Sequence, residues 1–388
     1  MATEKQLSKK KIGVGIIGAS PLNPDSWAVN AHIPAIKALP EEYELRAVST
    51  SRRESAEAAE KEFGVPAFDH YKDLVNHPDV DLVVVTVRVP YHHELISAAL
   101  DAGKMVFSEW PLGNGLEEAK DLAKRAELAG VRTAVGLQAR FQPAIRYVRD
   151  LIADGYIGEV QGSILVGSGM AWGNVTDRNH AYLFDAANGA TLLSIPIFHA
   201  LDALSYMLGD FSSVSANLVS NQSEVLLMEE NESIPVTSPN HASIIGTVNS
   251  GAAISVFYRG GSSRGENMRW EINGTKGDLI LTAPIGQVQL TDLKLEGGRG
   301  EDTVVSEMTI PSVYYDLAQD GPVDGSSNSG ELYEQGVSNN TRRLYAQFAK
   351  DIREGTNHTP DFAHALVRHQ LLDAIETSSR TGTAQKLN

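Results

Sequence analysis

Two residues that could move a proton stand three apart in the second half of the chain. His199 and Asp202 lie in a predicted helix over 197–208, so both fall on one helical face. A histidine beside a carboxylate is a candidate general base near neutral pH. A core histidine satisfied by Asp202 fits the same spacing and, on the residues alone, is the favoured reading. A second kind of chemistry is written at the start. The apolar run 12–17 ends directly at Gly18, followed by Ala19-Ser20-Pro21-Leu22-Asn23-Pro24-Asp25-Ser26-Trp27. A glycine after a first strand lets the backbone turn tightly, and the helix that follows offers N–H groups to a pyrophosphate. Ser20 and Ser26 stand near the places of the usual second and third glycines, and the turn is several residues longer than the standard fingerprint. A strand–turn–helix without a ligand fits the turn equally well; its place after the first strand of an alternating pattern favours the phosphate.

The other candidates also follow predicted strands. The second strand runs out into Ser49-Thr50-Ser51-Arg52-Arg53. An acidic residue there would hold the ribose 2′-hydroxyl of NAD, whereas two arginines suit a 2′-phosphate, so NADP is expected over NAD. Arginines facing solvent at a helix start are the common alternative. After the strongest strand, 80–86, come Arg88 and His92, the latter placed to contact the cofactor or to cap its helix. Glu109-Trp110-Pro111 follows the next strand, and a proline after tryptophan can support a cis turn.

These positions need a scaffold. Strands at 12–17, 44–48, 80–86, 105–108 and 132–137 alternate with helices at 31–39, 54–63, 69–76, 92–102 and 116–129, which implies a doubly wound parallel sheet of the Rossmann type. Beyond a helix at 144–153 the pattern changes. Strands at 160–169, 213–219, 243–248, 252–259, 269–272 and 278–282 follow one another with the helix 197–208 between them, which predicts an antiparallel sheet. The segment 298–340, rich in Gly, Ser, Asp and Asn, reads as a long loop, with helices returning at 342–354 and 362–378. The expected division is a dinucleotide-binding domain over 10–140 and a substrate and oligomerisation domain over 141–388, the helix 362–378 being free to pack back on the first domain.

Composition narrows the classes. The 388 residues suit two domains, and 42% apolar with 21% charged residues is ordinary for a globular chain. A net charge of −16 disfavours nucleic acid and anionic membranes as direct partners. There is no cysteine, which removes disulfides, thiolate metal sites and cysteine nucleophiles. No H-E-x-x-H pattern occurs, so no metal is expected. The first eleven residues are a polar tail without an apolar core, and no stretch reaches about 18 apolar residues, so a cytoplasmic protein is expected.

Together these segments resemble the Gfo/Idh/MocA oxidoreductase family. The most specific part is His92-His93-Glu94-Leu95 followed by Ala102-Gly103-Lys104-Met105-Val106-Phe107-Ser108-Glu109-Trp110-Pro111-Leu112, similar to the family's H-x-E-L…A-G-K-x-V-x-x-E-K-P-L. Gln138-Ala139-Arg140-Phe141 resembles the segment closing its Rossmann domain, and the run from Gly189 to His199 and Asp202 its second-domain helix. The resemblance implies a Rossmann domain followed by an α+β domain with a large open, mostly antiparallel sheet, through which members form dimers or tetramers. It implies a cofactor site of Gly18, Ser20, Trp27, Thr50, Ser51, Arg52, Arg53, Arg88, His92, Glu109, Trp110, Gln138 and Arg140. It gives His199 the role of base, with Asp202 or Tyr182 assisting.

Three departures matter. The family lysine of E-K-P is Trp110 here; the family aspartate before the histidine falls near Ser194, with one residue of extra spacing; and the glycine fingerprint is replaced at Ser20 and Ser26. A subgroup of cofactor-binding regulators shares all three. The expected function is therefore an NAD(P)-dependent oxidoreductase acting on a hydroxyl or carbonyl of a small, sugar-like substrate. The alternatives are a non-catalytic NADP sensor acting through a protein partner, and a redox-neutral lyase or glycosidase with tightly held cofactor.

Overall fold

The apolar runs of the first third become one parallel sheet. In the computed structural model, which describes residues 10–315 and 331–387, β1 (Ile12–Ile17) is followed by a π-helical turn (Ala28–His32) leading into α1 (Ile33–Lys37). Then come β2 (Tyr43–Ser49), α2 (Arg53–Phe63), β3 (Ala67–Phe68), α3 (Tyr71–Val75), β4 (Leu82–Val85), α4 (His92–Asp101), β5 (Met105–Glu109), α5 (Leu116–Ala129) and β6 (Thr133–Gly136). The strand order is β3-β2-β1-β4-β5-β6 and every pair is parallel. β1, β4 and β6 are buried along their whole length, as expected for strands covered by helices on both faces. The order reverses between β1 and β4, and ligands of such sheets gather outside the carboxyl ends of the strands at that switch.

The second region starts with a short 3-10 segment (Gln138–Phe141) and α6 (Pro143–Ala153). It continues through β7 (Val160–Gly169), β8 (Val175–Thr176), a π-helical turn (Leu193–Ile197), α7 (Phe198–Leu208), β9 (Phe211–Val219), β10 (Glu224–Leu227), β11 (Glu232–Pro235), β12 (His241–Val248), β13 (Ala253–Gly260), β14 (Met268–Gly274), β15 (Gly277–Ala283), β16 (Lys294–Arg299) and β17 (Ser306–Glu307). α8 (Glu331–Glu354), α9 (Phe362–Thr381) and β18 (Gln385–Lys386) end the described chain. Nine strands form one sheet in the order β17-β16-β15-β14-β7-β13-β12-β9-β18. It is antiparallel except where β7 runs parallel to β13, a pairing that strand-by-strand pattern does not reveal. Alternation is clean: Leu165, Val256, Ile244 and Trp270 are buried, whereas Ile164, Val166, Ile245 and Phe257 point to the other, exposed face.

The expected loop over 298–340 is corrected on both sides. β16 and β17 occupy its first part, and α8 starts at Glu331 rather than at 342; residues 316–330 lie outside the described chain. The glycines of Lys294-Leu295-Glu296-Gly297-Gly298-Arg299 hid a strand whose pairing, not propensity, makes it.

The described chain forms two compact units. Residues 10–138 and 334–369 make the first, and 139–315 with 370–387 most of the second. The first unit thus takes a late segment that the sequence places with the second domain. Within that unit the segment lies along β6: the Val135 N–H donates to the Pro360 carbonyl at 2.8 Å, and the Phe362 N–H to Thr133 Oγ1 at 3.2 Å. A parallel edge strand is covered in this way rather than left open.

Candidate functional site

In the first unit the candidate residues sit at the carboxyl ends of β1, β2, β4, β5 and β6. Gly18 follows β1 with φ +106, and a Cβ there would lie 2.8 Å from both the carbonyl oxygen and Oγ1 of Thr86. The left-handed turn and this close approach both require glycine. The Gly18 N–H is spent on the Ser49 carbonyl at 2.8 Å. The long turn then folds on itself: the Ser20 N–H donates to the Gly18 carbonyl, and Ser26 Oγ reaches the same carbonyl at 3.3 Å. Ser20 and Ser26 therefore shape the turn rather than replace glycines chemically. Trp27 precedes the π-helical turn, and its indole Nε1 is buried without a hydrogen-bond partner among the described residues.

The end of β2 is closed by hydroxyls. Ser55 Oγ donates to Thr50 Oγ1 at 2.9 Å, and Thr50 Oγ1 lies 3.1 Å from the Arg52 carbonyl. Ser51, Arg52 and Arg53 are exposed. Their fates differ: Arg53 Nε pairs with Glu57 at 2.9 Å one helical turn on, while Arg52 has no ion-pair partner among the described residues.

Beyond β4, Arg88 is exposed and His92 is buried. Of the two expected alternatives for His92, capping is corrected: Tyr91, not His92, caps α4. The imidazole lies between two backbone carbonyls, Nδ1 2.8 Å from Pro111 and Nε2 2.9 Å from Val87, and its one N–H donates to whichever the tautomer faces. Burial lowers its pKa despite those carbonyls.

Glu109 ends β5, and the Trp110–Pro111 bond is cis. Glu109 Oε1 accepts from His32 Nε2 at 2.9 Å, and His32 Nδ1 meets the Tyr345 hydroxyl at 2.7 Å. Burial holds the Tyr345 phenol well above its ordinary pKa, so it remains a donor. The His32 imidazole thus bridges the Tyr345 hydroxyl and the Glu109 carboxylate, its Nε2–H donating to the latter. The Glu109 carboxylate also lies over Gly136 at the end of β6, where a Cβ would be 2.4 Å from Oε1. The Trp110 ring is buried and packs on His369, with ring centres 4.7 Å apart. Gln138 is buried, and its Oε1 has no hydrogen-bond partner among the described residues.

A dinucleotide fits these donors and acceptors. Buried polar atoms are normally paired, and Trp27 Nε1 and Gln138 Oε1, among those that are not, are one donor and one acceptor. His32, Tyr345 and His369 are the residues that sequence reasoning missed. His32 and Tyr345 are 313 positions apart, so no local signal joined them.

The second unit holds the proton-transfer candidates. His199 is the second residue of α7 and is buried. Both Asp202 carboxylate oxygens accept from the Arg140 guanidinium, Nε to Oδ2 at 2.8 Å and Nη2 to Oδ1 at 2.5 Å. Arg140, expected at the cofactor, is buried and anchors α7 through Asp202, and its guanidinium also lies 5.2 Å from the Tyr206 ring centre. Ser194, in the place of the family aspartate, closes its own turn, with Oγ donating to the Gly189 carbonyl at 2.7 Å and accepting from the Thr191 N–H at 2.8 Å. The extra residue of spacing before His199 is taken up by the π-helical turn Leu193–Ile197, the usual way a helix absorbs a one-residue insertion. Tyr182 stands half-buried in a separate 3-10 turn (Ala181–Phe184). Among the described residues no group of three or more His, Asp or Glu is placed to hold a metal, and no helix is long and apolar enough to cross a membrane.

The doubly wound sheet, its strand-end cradle and the mixed sheet of the second unit define a dinucleotide-fold oxidoreductase class. Residues 12–137 match the family model for oxidoreductases with an NAD-binding Rossmann fold, GFO_IDH_MocA, and residues 143–283 match the model for the C-terminal domain of Gal80p. The chain belongs to the Gfo/Idh/MocA family, within a Gal80-like subgroup. It is 26% identical to the galactose/lactose metabolism regulatory protein GAL80 of Saccharomyces cerevisiae, over 96% of this chain and 93% of that one. It is 29% identical to the dehydrogenase aclE of Aspergillus oryzae, over 96% and 97%. The crystal structure of a super-repressor mutant of S. cerevisiae Gal80p superimposes with a TM-score of 0.84 at 24% identity, covering 97% of this chain and 98% of that one.

Proposed function

We propose that the chain is an NAD(P)-dependent oxidoreductase acting on a hydroxyl or carbonyl of a small, sugar-like substrate. The observation that carries this reading is His199, a buried imidazole on a helix whose next turn is pinned through Asp202 by Arg140. A pinned helix holds a base in one orientation, which acid–base catalysis needs. In the oxidative direction an imidazole nitrogen of His199 takes the hydroxyl proton, with Tyr182 as the assisting group. A bound nicotinamide supplies the other half of the chemistry as hydride acceptor or donor. Trp27 and Gln138 bind it through their unpartnered polar atoms, Glu109 lies at the same strand ends, and Arg52 favours the 2′-phosphate of NADP. Trp110 carries no charge to stabilise an alkoxide, which leaves His199 and Tyr182 as the acid–base candidates. The exposed stripe Ile164, Val166, Ile245 and Phe257 supports a homodimer or homotetramer through the open sheet.

A second reading, a cofactor sensor acting through a protein partner, is favoured by Trp110 itself, since a sensor needs no lysine there. Titration with NADP(H) and NAD(H), followed by absorbance at 340 nm over a panel of sugars and polyols, separates the two. Substrate-dependent change in reduced cofactor supports the oxidoreductase; binding with no redox change rejects it, and leaves the sensor or a redox-neutral lyase. Given turnover, His199→Ala lowers kcat by about 10²–10⁴-fold with cofactor Kd unchanged; an unaltered rate removes His199 from the mechanism.

A further inference from the structure

His369 is 1% exposed, and neither ring nitrogen has a hydrogen-bond partner among the described residues. A neutral imidazole carries one N–H and one lone pair, and burying both unpaired costs stability that a leucine in the same space would not. Burial, with a smaller effect from neighbouring His92, lowers its pKa to about 3, so the ring stays neutral in ordinary buffers. Its face packs on the Trp110 indole at 4.7 Å, and Trp110 follows β5. In a sheet of this order the dinucleotide straddles the β1/β4 switch. With the 2′-phosphate side at the end of β2, the ends of β5 and β6 receive the nicotinamide half.

We propose that His369 is a positioning residue for the nicotinamide end of the dinucleotide: it sets the Trp110 ring in the ligand-free protein and gains its missing hydrogen bonds when that ring moves to admit the nicotinamide. The unpaired nitrogens are then a cost carried by the ligand-free fold and relieved by binding. This rests on the dinucleotide reading above, and the probes are chosen to separate the two. ADP-ribose, which lacks nicotinamide, reports the adenosine half alone.

The experiment compares the full-length protein with His369→Leu by thermal unfolding and by titration with NADPH, NADH and ADP-ribose. The expected result is a Tm raised by a few degrees, affinity for whichever reduced cofactor binds lowered about fivefold, and ADP-ribose affinity unchanged. In a Trp110→Phe background the His369→Leu effect on cofactor affinity shrinks, because the action runs through the indole. Unchanged affinity for the reduced cofactors, or an equal loss for ADP-ribose, overturns the inference while leaving the dinucleotide reading intact. A wild-type protein that binds none of the probes overturns both. If the leucine variant does not fold, His369→Gln, which keeps a donor and an acceptor, takes its place: cofactor affinity within twofold of wild type supports the proposal, and a fivefold loss overturns it.

Discussion

The two ends of the candidate cofactor cradle are built differently. At the end of β2, Ser51, Arg52 and Arg53 are exposed, and the only ordered chemistry is a loop closed by Thr50 and Ser55. At the ends of β5 and β6 almost everything is buried and wired: Tyr345 to His32 to Glu109, the carboxylate over Gly136, Trp110 against His369. The first end is a screened electrostatic grip that tolerates substitution. The second is a polar network in low dielectric, where each member depends on the others. The comparison sets exposed charge against buried architecture: the arginine end can be substituted with little consequence for the fold, while the β5 end cannot be altered without the fold registering it.

The largest effect expected from this contrast is on stability. His32→Ala strips the Glu109 carboxylate of its donor and the Tyr345 hydroxyl of its partner, and costs about 2–4 kcal/mol in urea unfolding. A loss below about 1 kcal/mol would mean that the β5 end is as tolerant as the β2 end. Next comes an acid effect from the same buried end. The His369 pKa is depressed from 6.5 in the unfolded chain to about 3 in the fold. The unfolded chain therefore binds a proton below pH 6.5 that the fold refuses, so stability is complete above that pH and falls as pH drops toward 3. Between pH 6.5 and 5 the loss is roughly 2 kcal/mol. His369→Leu should flatten that slope, leaving the smaller contribution of His92, whose pKa burial also lowers; an unchanged slope would show that His369 is protonated in the fold. The smallest effect belongs to the arginines. Arg52→Ala should weaken NADP several-fold and NAD hardly at all, while Arg53→Ala, already paired with Glu57, should change NADP affinity less than twofold in isothermal titration. Equal losses for the two variants would erase the distinction drawn between them.

Much of the parallel sheet was legible because its signal is local. The strand Ile12–Ile17 and the helix Leu116–Ala129 are bounded by glycines and carry their own periodicity. The two-residue β3 is too short to show a pattern, and β16 reads as loop because its strand character comes from its neighbour. The π-helical turns before His32 and His199 have no periodicity that distinguishes them from a helix start. In the candidate site, residue type and strand-end position were legible, but commitment was not. Nothing in the chain announces that Arg140 pairs with Asp202, 62 positions away, or that His92 lies between two backbone carbonyls. Such pairings exist only after folding, so residue type and strand-end position alone do not show them.

The late segment 334–369 imposes an order of events on synthesis. The first unit borrows Tyr345 for its histidine network and Pro360 for the edge of β6. A ribosome that has delivered residues 10–138 has therefore made a sheet that is complete in strands yet lacks its edge cover and one buried phenol. That sheet must wait while roughly 200 more residues emerge, about 10–40 s at ordinary elongation rates. A fragment cut at the first boundary inherits the same deficit permanently, with a bare β6 edge open to pairing with another chain.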